Sequence, residues 1–331
     1  MTHRPSTLVT GGAGFLGSHL AAELLARGHS VVVLDDLSGG YRENVPPGAL
    51  FVQGSILDTA LLARLFAEHG FDHVFHFAAY AAEILSHHIK RFNYMNNLIG
   101  SVNLINESVA HKIRCFVFAS SAAVYGAEDS LLSEDLVARP EDPYGIAKLA
   151  VEQELRVTRR IFGLDSIVFR LHNVYGERQN TGDIYRNVVS IFLRQAILGE
   201  PMTIFGDGRQ TRAFTYVGDI VPCIAGAIDI PAARNRVVNL GGEGETSINE
   251  LASCIAEVAG VELRAEHLKA RSEAQRVRVD HSLARELLGF APKTPLREGM
   301  RRMLAWLKTA RLREKVRFTD IELEENLPAG W

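Results

Sequence analysis

Tyr144 and Lys148 stand four residues apart in the run Pro143-Tyr144-Gly145-Ile146-Ala147-Lys148, a spacing that puts both side chains on one face of a helix. A phenol ordinarily titrates near pH 10, and an adjacent ammonium favours its charged form. The pair therefore reads as a proton-transfer device, with Tyr144 as the base and Lys148 as the cation that poises it. A second group carries different chemistry. The segment Thr10-Gly11-Gly12-Ala13-Gly14-Phe15-Leu16-Gly17 directly follows the apolar pair Leu8-Val9 and precedes the helical pattern Leu20, Leu24, Leu25. Glycines at a strand-to-helix turn let the backbone approach a pyrophosphate, and free helix N–H groups complete the anion site. Asp35 and Asp36 follow the next apolar run, Val31-Val32-Val33-Leu34. Asp35 falls near the distance at which a carboxylate accepts hydrogen bonds from an adenosine ribose. A carboxylate there disfavours the extra phosphate of NADP, so the expected dinucleotide is NAD. A lone Tyr-x-x-x-Lys is more often an ordinary exposed helix pair, and glycines alone make surface turns; the two motifs count only together.

Positioning these residues requires alternating strands and helices. Strand-like runs occur at Leu8-Val9, Val31–Leu34, Leu50–Gln53, Val74–Phe77, Cys115–Ala119 and Ser166–Leu171, separated by helical patterns at Leu61–Phe66, Phe92–Val109 and Leu149–Phe162. Such alternation predicts a parallel sheet covered by helices, a doubly wound α/β fold of Rossmann type. Ser120, Ser121 and Asp35 then fall at carboxyl ends of strands, where open parallel sheets bind ligands. After Leu171 the alternation breaks. Residues 172–214 are rich in Gly, Arg, Asn and Tyr around one helix, Val188–Leu198, and suit a lobe that holds polar side chains over a cleft. A strand and helix near 217–228 and a strand at Arg236–Leu240 return to the first unit. The expected division is 1–171, with about 215–240, as a nucleotide-binding domain, and 172–331 mainly as a smaller, discontinuous C-terminal substrate-binding domain. The tail from Phe318 to Trp331 is left undecided between packing on the body and lying free.

Composition narrows the function classes. The chain has 331 residues, ample for a large core, and a formal charge of −3 that gives no reason to expect nucleic acid. No apolar run approaches the roughly 18 residues of a membrane span, and no signal-peptide pattern opens the chain. Cys115, Cys223 and Cys254 are widely spaced and form neither a disulfide framework nor a zinc pattern. His87-His88 is not accompanied by a second ligand, so no metal site is expected. A cytoplasmic location is expected, and the composition fits an enzyme without proving it.

In sequence order, these motifs resemble the extended short-chain dehydrogenase/reductase family, and within it the nucleotide-sugar epimerases and dehydratases, with a pattern nearest the UDP-glucose 4-epimerases. The resemblance is carried by Thr10–Gly17, Asp35-Asp36, His76-Phe77-Ala78-Ala79, Asn96-Asn97, Ser120 to Gly126, Tyr144–Lys148, Asn173-Val174-Tyr175-Gly176, Arg212-Ala213-Phe214 and Arg271. It extends to about Lys315.

The resemblance implies a site. Ser121 would hydrogen-bond the reacting sugar hydroxyl, Tyr144 would take its proton, and Lys148 would bind the nicotinamide ribose. Tightly held NAD would lie along Gly11, Gly14, Phe15, Leu16, Gly17, Asp35, Asp36, Ser55, Ile56, Ala78 and Asn96, and be regenerated in each cycle. Tyr80, Asn173, Arg212 and Arg271 would hold the sugar diphosphate. The implied reaction is 4-epimerisation of a UDP-hexose through a 4-keto intermediate. Relatives that expel water or carbon dioxide carry acids next to the serine, where this chain has Ala122 and Ala123; methyl groups transfer no protons. A dehydratase, an epimerase of GDP-, CDP- or TDP-sugars, and a catalytically retired NAD-sensing interaction protein remain alternatives at this stage. The helices at 92–109 and 149–162 resemble those through which the family forms homodimers.

Overall fold

The computed structural model describes residues 4–128, 130–270, 274–310 and 312–327. Seven parallel strands form one sheet: β1 (Ser6–Thr10), β2 (Ser30–Asp35), β3 (Leu50–Gln53), β4 (His73–His76), β5 (Cys115–Ser121), β6 (Ser166–Leu171) and β7 (Arg236–Leu240). Their spatial order is β7-β6-β5-β4-β1-β2-β3. The chain thus runs outward from β1 in one direction, then crosses back to β4 and runs the other way. That reversal leaves a crevice at the carboxyl ends of β1 and β4, where Thr10 pairs in register with both Leu34 and His76.

Alternation along each strand divides the apolar residues between two faces. On one face Val9, Val33 and Val117 pack with Leu20 and Leu24 of α1 (Phe15–Ala26). On the other, Leu8, Val32, Phe116 and Phe118 meet Leu62 and Phe66 of α2 (Thr59–His69), Leu104 of α3 (Gly100–Ala110), and Val151 and Leu155 of α4 (Pro143–Phe162). The expected helix at 149–162 begins six residues earlier. Asp142 caps it by accepting from the Gly145 amide, and Pro143 at the first helical position needs no amide partner. The expected helix at 92–109 begins at Lys90 and contains a π-helical stretch, Met95–Ile99, ahead of α3.

The rest of the chain forms α5 (Val188–Leu198), α6 (Val217–Gly226), α7 (Ile248–Ala259), α8 (Ser282–Leu288) and α9 (Leu296–Thr309). Three two-stranded sheets join Val174–Tyr175 to Thr215–Tyr216, Met202–Phe205 to Ala265–Leu268, and Thr211–Arg212 to Thr246–Ser247. This smaller C-terminal region shares the first core: Phe192, Leu251, Ile255, Met300 and Met303 are continuous with the α1 face of the sheet. The tail residues 312–327 pack on the body through contacts described below. Among the described residues no helix is long and apolar enough to cross a membrane, and no cluster of three or more His, Cys, Asp or Glu side chains is arranged to hold a metal ion. The three cysteines are free.

Candidate active site

A cavity of about 380 Å³ runs from the glycine turn, across the carboxyl ends of the sheet, to the start of α4. At one end the chain leaves β1 through Gly11, which has φ +71° and lies so close to the next crossover that a Cβ would come within 2.6 Å of the Ala78 amide nitrogen. A Cβ on Gly17 would lie 2.2 Å from the Gly11 carbonyl oxygen. Both positions therefore need glycine for backbone packing. Gly14, the extended residue before α1, has no side chain to cap the helix; the first-turn amides are free of intrahelical partners, as at any helix start. Beside them, Asp35 accepts hydrogen bonds from the amides of Ala13 and Leu37 at 3.0 and 2.8 Å, and Asp36 accepts from Ser38 at 2.9 Å. Burial raises the pKa of Asp35, and the backbone bonds oppose that shift.

At the other end stand Ser121, Tyr144 and Lys148. The Ser121 hydroxyl accepts from the Ala123 amide at 3.1 Å, and its influence on the Tyr144 phenol favours the charged form. The Lys148 ammonium donates to the Ala119 carbonyl at 2.7 Å and lies 4.7 Å from the Phe118 ring centroid. Loss of water lowers its pKa to about 7, with the Glu152 carboxylate one turn along opposing the shift. Tyr144 moves in the opposite direction from the one its spacing suggests. Burial raises its pKa well above the ordinary phenol value, the Glu83 carboxylate adds to the rise, and the Ser121 hydroxyl and the Arg186 guanidinium counter only part of it. The sequence shows that an ammonium is near; it does not show that phenol and ammonium are both almost fully desolvated.

Of the residues expected to bind a dinucleotide, Gly11, Gly14, Phe15, Leu16, Gly17, Asp35, Asp36, Ile56, Ala78 and Asn96 line this cavity, as do Tyr144 and Lys148. Ser55 does not; its hydroxyl accepts from the Leu57 amide. Tyr80, Ser121 and Asn173 line it at the far end, whereas Arg212 lies outside the lining, on the Thr211–Arg212 strand. Arg271 lies outside the described residues. Sequence motifs did not single out Glu83 or Arg186, both of which line the cavity. Arg186 is ion-paired with Asp183 and its guanidinium lies 4.8 Å from the Tyr80 ring centroid. Neither residue sits in a recognisable motif: Glu83 opens the short helix Glu83–Ser86, and Arg186 lies on the irregular connection ahead of α5. Asn97 does belong to a motif. Its amide side chain accepts from the Tyr80 N–H and donates to the Tyr80 carbonyl, tying the Tyr80 backbone to the π-helical stretch.

The model of one protein family, described as "NAD dependent epimerase/dehydratase family", matches residues 7–241. The chain belongs to this family. The putative UDP-glucose 4-epimerase of Methanocaldococcus jannaschii is 35% identical, the match covering 91% of this chain and 98% of that protein. The family also extends to other chemistry: a UDP-N-acetyl-alpha-D-glucosaminuronate decarboxylase of Bacillus cytotoxicus is 31% identical over 91% of this chain and 97% of its own. Among solved structures, UDP-glucose 4-epimerase of Thermotoga maritima with UDP-glucose superposes with a TM-score of 0.88 at 34% identity, covering 92% of this chain and 99% of that one. The UDP-glucose 4-epimerase of Thermus thermophilus in complex with NAD gives 0.85 at 33% identity, covering 92% and 100%. This family member therefore shares its architecture with epimerases over nearly their whole length.

Proposed function

We propose that this protein is an NAD-dependent epimerase that inverts carbon 4 of a UDP-linked hexose. The observation that carries the reading is the single cavity joining an uncapped helix start and a ribose-suited carboxylate pair to Ser121, Tyr144 and Lys148. The residues present suit NAD: the α1 amides and Gly11, Gly14 and Gly17 for its diphosphate, Asp35 and Asp36 for the adenosine ribose, and Lys148 for the nicotinamide ribose. When bound, NAD supplies a reversible hydride acceptor and a cationic ring.

The chain's own residues perform the proton chemistry. Ser121 orients the sugar hydroxyl toward the phenol, and Tyr144 removes its proton and later returns it. Holding hydroxyl, phenol and cofactor together is itself a large part of the rate. Burial and the Glu83 carboxylate favour the neutral phenol of Tyr144, so the base requires positive charge brought to the site. Asn173, Arg212 and Arg271 are assigned to the sugar diphosphate, and Tyr80 to the sugar. Ala122 and Ala123 bring no acid beside Ser121, which favours epimerisation over dehydration or decarboxylation. Residues 1–171 with about 215–240 are assigned as the nucleotide unit and the remainder as mainly the sugar unit.

We also assign a homodimer through α4 and the helix at 90–110, on which Met95, Ile99 and Ile146 are exposed apolar side chains. Light scattering after gel filtration tests it, a monomer at micromolar concentration being the contrary result. The catalytic reading is tested by interconversion of UDP-glucose and UDP-galactose followed by proton NMR, with a Tyr144→Phe control; absence of isomerisation together with a product of altered mass contradicts it.

A further inference from the structure

We propose that the segment following α9 is a built strap whose Phe318 positions Tyr80 and Phe92, and thereby fixes the wall of the cleft that faces the sugar. The inference rests on the nucleotide-sugar reading above. Its starting point is a small hydrophobic cluster separate from the main core: Ala82, Leu85 and Ile89 are buried, with Tyr80, Phe92, Tyr185, Phe318 and Ile321 packed against them. Two of these, Tyr80 and Phe92, line the cavity. Phe318 touches both, with ring centroids 4.8 Å from Phe92 at an interplanar angle of 70° and 5.6 Å from Tyr80 at 57°. Tyr80 and Phe92 in turn meet edge to face at 5.4 Å. The three rings form a closed triangle, of which one corner belongs to the tail.

Backbone bonds hold the tail in that place. The Val316 amide donates to the Gly182 carbonyl at 2.9 Å, and the Phe318 amide to the Tyr185 hydroxyl at 3.0 Å. A Cβ on Gly182 would lie 2.2 Å from the Glu314 carbonyl oxygen, so a glycine is needed for the strap to lie flat there. Beyond Phe318, the Glu322 carboxylate accepts from the amides of Arg91 and Phe92 at 2.9 and 3.0 Å. These are first-turn donors of the Lys90–Tyr94 helix, which has no side-chain cap from its own N-cap residue, and a carboxylate at a helix start is also favoured by the dipole. The Glu322 amide and the His88 carbonyl are bonded at 2.8 Å, and the His88 ring and the Leu323 carbonyl at 2.7 Å.

These anchors fall on both sides of the sugar end. Gly182 adjoins Asp183, the ion-pair partner of Arg186, and Arg186 lies over Tyr80. Arg313, earlier in the strap, lies over Tyr41, whose amide donates to the Ala13 carbonyl of the glycine turn, whereas none of the contacts given for Val316 to Leu323 reaches the glycine turn or the Asp35-Asp36 pair. Displacing Phe318 should therefore loosen the sugar wall and leave the dinucleotide end unchanged. Phe318 is a positioning residue, acting through Tyr80 and Phe92.

The test uses the NAD-bound full chain, with Phe318→Ala and Glu322→Ala as independent ways of displacing the strap and Phe318→Leu as a conservative rescue. Calorimetric titration with UDP-glucose and with UDP separates sugar contacts from nucleotide contacts. Losing aromatic contacts of this kind predicts weakening for UDP-glucose of about three- to tenfold in the Ala variants, near-recovery in Phe318→Leu, and UDP affinity within about twofold of wild type. In parallel, reduction of the bound NAD by cyanoborohydride, followed at 340 nm, reports access to the cleft without any substrate; the Ala variants should react at least about threefold faster. Equal weakening of UDP and UDP-glucose, or unchanged affinity and unchanged reduction, overturns the proposal. If wild type binds neither nucleotide, the nucleotide-sugar reading fails on its own account, and the reduction rates still decide the strap: faster in both Ala variants supports it, unchanged overturns it.

Discussion

Lys148 donates to the Ala119 carbonyl oxygen at 2.7 Å, at the carboxyl end of β5, and its nitrogen stands 5.7 Å from the centroid of the Tyr144 ring. The ammonium is thus anchored to the sheet. The two groups expected to cooperate are both buried, and burial disfavours the charged form of each. Lys148 tends toward the free amine and Tyr144 toward the phenol, so substrate and cofactor must complete the charge balance of the site.

The lysine has a consequence for stability. Its pKa is lowered from 10.5 to about 7. Below about pH 7 the native and unfolded chains both carry the proton, and the native state bears the cost of a buried ammonium. As pH rises from about 7 toward the ordinary lysine range, the native state has released the proton while the unfolded chain still holds it, so this group's contribution to stability rises. In NAD-free protein, Lys148→Met should raise the melting temperature most near pH 6 to 7, with the advantage shrinking by about pH 10. Thermal unfolding across that range checks it; a difference independent of pH contradicts the burial account.

Glu83 should act on the base through its charge. It raises the pKa of Tyr144, and the active form of a base is the deprotonated one. Glu83→Gln should therefore move the rising limb of the kcat/KM–pH profile to lower pH, by roughly half a unit to one unit for a single charge in a partly solvated cleft. A shift to higher pH, or none, would show that the carboxylate does not act on the phenol.

Behind the site, Arg170 and Glu152 form a two-point ion pair, Nε to Oε1 at 3.1 Å and Nη2 to Oε2 at 2.7 Å, and Ser120 donates to the same carboxylate. The side chains of the pair are only 6% and 3% exposed. Glu152→Ala leaves a buried guanidinium without its counter-charge, at a cost of about 3–5 kcal/mol in urea unfolding. A loss below about 1 kcal/mol would place the pair among solvent-screened ones.

Gly17→Ala should separate folding from cofactor retention. The added methyl meets the Gly11 carbonyl oxygen and carbon at 2.2 and 2.7 Å, both backbone atoms, so the turn must move away from the position that α1 holds. The NAD dissociation constant, titrated on NAD-stripped protein, should rise by more than about tenfold relative to wild type, which is about 1.4 kcal/mol. An unchanged dissociation constant would show that the turn tolerates displacement.

Most of the sheet was legible from apolar runs bounded by turns, because a buried parallel strand leaves a continuous hydrophobic signature. β3, β6, β7 and α5 fall at the expected residues. The convergence of the glycine turn, Asp35, Ser121, Tyr144 and Lys148 on one cavity follows from their positions at strand and helix ends. Other features depend on contacts remote in sequence. Phe318 meets Tyr80 across more than two hundred residues, and no local pattern marks it. Glu83 enters the cleft from a helix of four residues and Arg186 from an irregular connection, and neither is long enough or regular enough to leave a periodicity to read. Arg212 matches a motif but lies outside the cavity lining, since short motifs fix neighbours along the chain and not the path of the strand that carries them. The direction of the Tyr144 shift was missed because spacing reports proximity and says nothing of desolvation.

The proposed epimerisation is a reversible oxidation at carbon 4 with return of the same hydrogen. Purified protein incubated in deuterated water with UDP-, GDP-, CDP- and TDP-hexoses, followed by mass spectrometry and proton NMR, tests it most directly. The account predicts a 4-epimer of unchanged mass from a UDP-hexose, with no deuterium at carbon, and a kcat lower by about 10²- to 10⁴-fold in Tyr144→Phe. A product lighter by one water, deuterium incorporated at a sugar carbon, or full activity in Tyr144→Phe would contradict it.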